Sequence, residues 1–328
     1  MREQRGAALI IVLFIVALAA TIAAEMASNL MVQVQRAQNI QSHQQAKWYS
    51  YGAEELIKKV LIETKKEDPD KVHLGQAWAR EEVPYPVDDG TLSGEVTDLQ
   101  ACLNLNALAA PKDDNQSGST VKTNAAHVAL LELLKNIEDL PLEESEDALA
   151  DSLYDWLDKD SITTGSGAEE DEYMSRQTPY LTANNLLASV SELRVIKGFN
   201  PLVMKKLLPY VCVIPGNTEL NINVNTVKSE QALLLSALVD GLSESGAEAV
   251  ISARPEKGFD TVDEFYAEVA NQGSGKGSKP SKLFTVDSNY FKLRAKAEFD
   301  ERLFTMTSII QINQGQATIL ARKFGGVQ

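Results

Sequence analysis

The stretch AALIIVLFIVALAATIAA, residues 7–24, decides how this chain is organised. It carries no charge, follows the short polar start MREQRG, and continues without Gly or Pro into a polar segment that begins at Glu25. At about 1.5 Å per residue, a helix of this length spans about 27 Å, close to the bilayer hydrocarbon core of about 30 Å. The stretch therefore predicts a transmembrane helix over residues 7–24.

The charges on either side of this helix predict its orientation. Arg2 and Arg5 precede the apolar run, and Glu25 is the first charge after it. Positive residues favour the cytoplasmic side, so the bulk of the chain is expected to be exported. A cleaved signal peptide is the alternative, because alanines within residues 19–27 supply small residues for cleavage. The apolar run is longer than the roughly 7 to 15 residues of a signal-peptide core.

The helical pattern continues far beyond the apolar run. Apolar residues recur at three- and four-residue spacings until Asp68-Pro69, where a helix is expected to end. We therefore predict one helix over residues 7–66, whose first third lies in lipid and whose remainder packs partly on a globular head. The positions that form its stripe are Leu30, Val34, Ala37, Ile40, Gln44, Trp48 and Tyr51.

Length, charge and cysteine content narrow the class of protein. A chain of 328 residues is long enough for about two folding units of roughly 150 residues each. The net charge of −15 disfavours nucleic acid as a partner and suits cations such as divalent metals. Cys102 and Cys212 are the two cysteines, and in an exported chain they predict one disulfide; two buried free thiols are the alternative.

The rest of the chain predicts an α+β fold. Residues 71–94 are rich in turn-forming residues and are expected to be irregular, and residues 95–105 alternate as a strand does. Helices are predicted at residues 125–137, 145–157 and 184–196. Strands are predicted at 285–299 and 302–312, with Asp300-Glu301 as their turn, and at 318–323. Residues 67–106 and 281–328 thus form a head with a small antiparallel sheet, and residues 107–280 form a large inserted, mainly α-helical domain.

An acidic segment, DWLDKDSITTGSGAEEDEY at residues 155–173, is the best candidate for a binding site. Calcium takes about six to eight oxygen ligands, and one or two ions would suit the carboxylates and hydroxyl gathered here. A standard EF-hand does not fit, because Ile162 stands where a ligand belongs. A solvated acidic loop is the alternative. The candidate ligands are Asp158, Asp160, Ser161, Glu169, Glu170 and Asp171.

The join Arg5-Gly6-Ala7 resembles the leader of the type IV prepilin and type II secretion pseudopilin family. The resemblance implies that a prepilin peptidase cuts between Gly6 and Ala7 and that Ala7 becomes N-methylated. Most members have Glu at the fifth mature position, where this chain has Ile11. That absence and the large helical insertion resemble the K-type minor pseudopilins. The motifs that share this resemblance are DWLD, GAE, SELRVIKGF, LPY and INVNT.

The resemblance implies a pilin-like fold and a role in assembly. A subunit without an acid at Ile11 cannot pair with the N-terminus of a subunit above it, which suits the tip of a pseudopilus. The expected partners are the I- and J-type minor pseudopilins and the major pseudopilin, with one span in the bacterial inner membrane and the head in the periplasm. This subunit would help to start or limit the pseudopilus that exports folded proteins.

The family also binds calcium in its inserted domain, which favours Ca²⁺ at the acidic segment. No nucleophile-elbow, phosphate-loop or zinc motif occurs, so the sequence indicates a protein that is not an enzyme. A membrane-anchored periplasmic enzyme and a signal-cleaved soluble calcium-binding protein are the alternative functions.

Overall fold

The computed structural model describes residues 5–80, 84–88, 90–111, 124–272, 283–299 and 302–325, without the side chains of residues 5–7 and 302. Most of the predicted leader and the predicted Asp300-Glu301 turn therefore lie outside the described residues. The helices are α1 Arg5–Glu67, α2 Ala125–Asn136, α3 Glu146–Leu157, α4 Glu170–Met174, α5 Pro201–Leu207, α6 Ala232–Leu238, α7 Glu244–Ala253 and α8 Val262–Asn271. The strands are β1 Tyr85–Val87, β2 Gly90–Asp98, β3 Leu103–Asn104, β4 Val211–Cys212, β5 Ile222–Asn223, β6 Phe284–Thr285, β7 Tyr290–Phe299, β8 Arg302–Asn313 and β9 Gln316–Phe324.

Helix α1 contains the whole apolar run and ends beside Asp68-Pro69, as predicted. Its last third packs on the sheet through Ala46, Ala53 and Leu61, which are buried. Apart from Tyr51, which is partly buried against the head, the predicted stripe does not make this contact. At about 100° per residue, Val34 and Trp48 lie on the opposite face of the helix, and Trp48 is 69 % exposed. Ala46 and Ala53 have small side chains, so the helix can approach the sheet closely at these two positions.

The sheet has five strands in the order β1-β2-β7-β8-β9, and every pairing is antiparallel. Alternate residues of β7 face α1, including Phe291, Leu293 and Ala295, which are almost fully buried. Period-two burial is the pattern of a sheet that covers a core on one face only. The predicted α+β class, with a long N-terminal helix and a small antiparallel sheet, is confirmed.

Two expectations about the first strands are wrong. Residues 71–94, which were predicted to be irregular, contain β1 and the start of β2. Gly90 lies in the sheet and not in a loop. A Cβ atom at Gly90 would lie 2.2 Å from the Glu298 carbonyl oxygen, so only glycine permits this approach. The predicted strand at 95–105 is interrupted, because β2 ends at Asp98 and the short strand β3 follows only at Leu103–Asn104. Leu99, Ala101 and Leu103 alternate in apolar character because the chain there is buried between two cores.

The predicted helix at 184–196 is also wrong. Only a short 3-10 helix forms, Val190–Val195, which begins with a capping box between Ser189 and Glu192. Upstream of it, the Asn106 side chain accepts from the Leu187 N–H at 2.8 Å and donates to the Leu187 carbonyl at 2.9 Å. A side chain distant in sequence thus takes the backbone groups that a helix needs.

Helices α2 to α8 and the short strands enclose a separate apolar core. Leu130, Leu149, Leu207, Leu234 and Phe265 are each less than 2 % exposed within it. The chain enters this core beside β3 and leaves it at Phe284 of β6. Most of the helical segment therefore buries its apolar residues within itself.

The junction between the two cores is tied by Asp98, at the end of β2. Its carboxylate accepts hydrogen bonds from Thr226 Oγ1 at 2.6 Å, Ser288 Oγ at 2.5 Å, Gln100 N at 2.7 Å and Asn223 Nδ2 at 3.3 Å. Asn223 and Thr226 belong to the INVNT motif, whose polar residues thus serve the fold. The expected disulfide between Cys102 and Cys212 lies at the same junction.

Candidate metal centre and assembly surface

Three predicted ligands converge after α3. One carboxylate oxygen from each of Asp158, Asp160 and Glu169 lies within 4.8 Å of the others. Asp158 and Asp160 follow the end of α3, and Glu169 stands just before α4. The loop between them therefore folds back so that its two ends share one acidic cluster.

Two further acids of α3 fix the shape of this loop. Asp155 accepts from the Thr164 N–H at 3.0 Å, and Asp151 accepts from the Ser166 N–H at 2.9 Å. A Cβ atom at Gly167 would lie 2.1 Å from Asp155 Oδ2, so the loop lies too close to α3 for a side chain there. Asp155 and Asp151 are one helical turn apart and hold successive parts of the loop.

The cluster is electrostatically unfavourable without a cation. Glu169 is only 5 % exposed, and among the described residues neither of its carboxylate oxygens has a hydrogen-bond partner. Burial, together with the negative charges of Asp155, Asp158 and Asp160, raises the pKa of Glu169 to about 7. Burial and the charge of Asp158 raise the pKa of Asp155 to about 6, although the hydrogen bonds from Thr164 act in the opposite direction.

Asn184 joins this region although its sequence position gives no sign of it. Its Nδ2 lies 3.3 Å from the Asp160 carbonyl oxygen, and within the described part of the chain its Oδ1 is buried without a hydrogen-bond partner. Its backbone φ is 44°, in the left-handed region that asparagine adopts more readily than most residues. Carboxylate and amide oxygens are the ligands that calcium prefers, so these residues fit the ion.

The other predicted ligands lie beside the cluster. Ser161, Glu170 and Asp171 are exposed and, together with Glu169, line an open cavity of about 490 Å³. The structure therefore separates the six predicted residues into three whose carboxylates converge, of which only Glu169 is buried, and three exposed residues that lie beside them.

The described part of the chain contains one helix that is long and apolar enough to cross a membrane, and it is the N-terminal part of α1. Ile11, the position of the missing family acid, is 59 % exposed on this helix. The side chains at the predicted cleavage point, Gly6 and Ala7, lie outside the described residues. Farther along α1, Leu30, Val34 and Trp48 form an exposed stripe that faces away from the head.

Comparison with known proteins shows the family. Two family models, both described as type II secretion system protein K, match residues 101–216 and 222–287. The type II secretion system protein K of Aeromonas hydrophila is 37 % identical over 99 % of this chain and 98 % of its own length. The protein K of Klebsiella pneumoniae is 33 % identical over 98 % of this chain and 97 % of its own.

A solved structure agrees with these sequence matches. A chain in the GspK-GspI-GspJ complex of the type 2 secretion system from enterotoxigenic Escherichia coli matches with a TM-score of 0.77 and 32 % identity. The match covers 89 % of this chain and 100 % of that one. The chain therefore belongs to the type II secretion system protein K family.

Proposed function

We propose that this chain acts in the type II secretion system as the minor pseudopilin that caps the pseudopilus tip. The observation that carries the proposal is the structural match to a chain taken from a GspK-GspI-GspJ complex, over nearly the whole length. Family membership makes the chain a component of a secretion apparatus. That it has no catalytic activity of its own stays a prediction.

The exposed stripe on α1 supplies the surface for assembly with the I- and J-type minor pseudopilins. Trp48 remains exposed because the opposite side of the helix packs on the head, and Leu30 and Val34 lie in the part of α1 that precedes the head and is exposed on every side. Apolar residues at three- and four-residue spacing are the form in which one helix packs against another. The same helix would let the chain contact the major pseudopilin below the tip.

The stripe can be tested by one pair of substitutions. Val34→Asp places a charge in the stripe, and Gln35→Asp places the same charge on the next residue, which faces another direction. Co-purification with tagged I- and J-type subunits should be lost for Val34→Asp and kept for Gln35→Asp. Equal recovery of both variants would reject the stripe as the assembly surface.

We propose that the N-terminal helix anchors the chain in the bacterial inner membrane, with its head in the periplasm. We propose that Gly6-Ala7 is cut by prepilin peptidase, that Ala7 is methylated, and that residues 7–24 then span the bilayer. Ile11 leaves this helix without the acid that would pair with a subunit above, which supports the tip position. Mass spectrometry should find methylated Ala7 at the N-terminus, whereas a start shortly after Ala24 would indicate signal-peptide cleavage.

We also propose that the inserted domain holds Ca²⁺. Asp158, Asp160 and Glu169 would supply carboxylate oxygens, and Asn184 would supply its buried amide oxygen. The ion would offset the repulsion among the carboxylates and so join the end of α3 to the start of α4. A second ion, if the domain takes one, would use the exposed acids that line the neighbouring cavity, Glu170 and Asp171.

A further inference from the structure

The outward face of the sheet, away from α1, carries a positive patch on an acidic protein. On the central strand β7, Lys292, Arg294 and Lys296 are alternate residues and share this face, whereas the residues between them are buried against α1. The chain as a whole has a net charge of −15. Three cations side by side on one strand are therefore a local exception to the charge of the protein.

Two of these cations line a cavity. Lys292 and Arg294 open into a space of about 220 Å³ that is closed by Glu95 and Thr97 of β2 and by Thr307 of β8. Strand pairing places Arg294 between Glu95 on one side and Thr307 on the other. The lining thus offers two positive groups and two hydroxyls against one carboxylate.

The two cations have no partner of their own. Neither the Lys292 ammonium nor the Arg294 guanidinium makes a hydrogen bond or an ion pair with any residue that the structure describes. Burial, together with the charges of Arg294 and Lys228, lowers the pKa of Lys292, although the charge of Glu95 acts in the opposite direction. Half-buried cations that outnumber the one carboxylate beside them, Glu95, are stabilised by an anion from outside the chain.

We infer that this cavity binds a carboxylate side chain of a protein that docks on the outward face of the sheet. A carboxylate matches the cavity because an arginine and a lysine can share its two oxygens with the threonine hydroxyls. Further cationic groups lie on the sheet beyond the cavity. Thr307 pairs with Lys323 of β9, so cationic groups extend across the sheet, as suits a partner surface with several acids.

A lipid head group is out of reach of this cavity. The β7 residues at this level share a core cluster with Ala53 and Leu61 of α1. Ala53 is 29 residues beyond Ala24, where the apolar run ends, which corresponds to about 44 Å along the helix. The phosphates of the membrane that holds α1 therefore lie far below the cavity.

The test measures binding of a hexaglutamate peptide to the detergent-solubilised full chain, in EDTA so that calcium plays no part. Lys292→Gln and Arg294→Gln should each weaken binding by about tenfold or more, because each removes a group that faces the carboxylate. Lys296→Gln is the matched control, since it removes the same charge from the same face outside the cavity, and it should weaken binding less than threefold.

A fourth variant separates a binding effect from a folding defect. Glu95→Gln removes the carboxylate that competes for the cations, so the peptide should bind more tightly than it does to the unchanged protein. An equal loss for Lys296→Gln and Lys292→Gln would overturn the site in favour of a diffuse positive patch. Inorganic phosphate that binds as tightly as the peptide would overturn the protein carboxylate as ligand. Absence of peptide binding would overturn the proposal altogether.

Discussion

Asp98 and Glu169 are equally buried carboxylates in opposite surroundings. Asp98 is 6 % exposed and Glu169 is 5 % exposed. Four donors from separate parts of the chain meet Asp98, whereas Glu169 meets three other acids and, among the described residues, no donor. Burial raises the pKa of both groups; four hydrogen bonds oppose that rise at Asp98, whereas at Glu169 three negative charges add to it and the Glu170 N–H, outside hydrogen-bond geometry, opposes it least.

The difference separates a structural acid from a binding acid. A buried carboxylate that accepts hydrogen bonds from several buried donors stabilises the fold without a ligand, because the carboxylate and its donors satisfy one another. A buried carboxylate among like charges destabilises the ion-free protein and stabilises it only when a cation is bound. Acidic residues alone do not reveal this distinction; the donors around them do.

The disulfide at the Asp98 junction gives the largest expected effect. Cys102 and Cys212 are 110 residues apart, so the bond restricts the unfolded chain strongly. Replacing both with serine should lower the free energy of unfolding by about 4 kcal/mol. Denaturant unfolding measures the change, and the unchanged protein in reductant serves as control, since it should unfold together with the double variant. Similar midpoints with and without reductant would contradict the prediction.

Loss of the carboxylate at Asp98 should follow in size. Asp98→Ala leaves the buried Ser288 hydroxyl and the Gln100 N–H without their acceptor and removes the shorter of the two hydrogen bonds that the Thr226 hydroxyl donates, so we expect a loss of about 3 kcal/mol. Asp88→Ala, at an exposed acid before β2, should change the free energy of unfolding by less than about 0.5 kcal/mol. A similar change in both variants would mean that the junction does not depend on this carboxylate. Calcium should not restore Asp98→Ala.

The sequence predicted those parts of the fold that depend on neighbours along the chain. The end of α1 and the strands of the β7–β8 hairpin were correct, since a helix stop and period-two alternation are local signals. The helix expected at 184–196 was wrong because Asn106, from another part of the chain, holds Leu187. The start of β2 was missed because Gly90 also occurs in turns, and only the close Glu298 carbonyl explains it.

The candidate site follows the same rule. Asp158, Asp160 and Glu169 were found because a cluster of acids around a glycine-containing bend is visible in the sequence. Asn184 was not, since nothing in its spacing connects it to Asp160, which it approaches only in three dimensions. The exposure of Glu170 and Asp171 also needed the structure, because it depends on how α4 is oriented after the loop.

Glu169→Gln tests the second of the two carboxylates, the one that lies among other acids. It removes a buried negative charge from an acidic cluster, so the calcium-free protein should become more stable by on the order of 2 kcal/mol at pH 7.5. We also expect calcium to raise the melting temperature of the unchanged protein and not that of Glu169→Gln. Glu170→Gln is the control, because Glu170 is the next residue and is exposed, and calcium should still raise the melting temperature of this variant. A calcium response that survives Glu169→Gln would remove Glu169 from the ligand set.

The smallest expected effect is a dependence on pH that calcium abolishes. The folded pKa values of Glu169, about 7, and Asp155, about 6, lie above their ordinary values of 4.5 and 3.8. The folded state therefore binds more protons than the unfolded state between about pH 4 and 7, and stability falls as pH rises through this window, by about 1 kcal/mol per unit.

Thermal unfolding in EDTA from pH 5 to pH 7.5 measures this slope. Asp98 titrates in the same direction, so the slope of the unchanged protein alone does not identify the group responsible. The difference between the unchanged protein and Glu169→Gln isolates the acidic cluster, because Asp98 is common to both. With calcium the difference in slope should vanish, since a bound cation keeps Glu169 ionised throughout. Equal slopes in EDTA would show that the charge of Glu169 is already balanced without calcium, and Glu169 would then be a structural acid like Asp98.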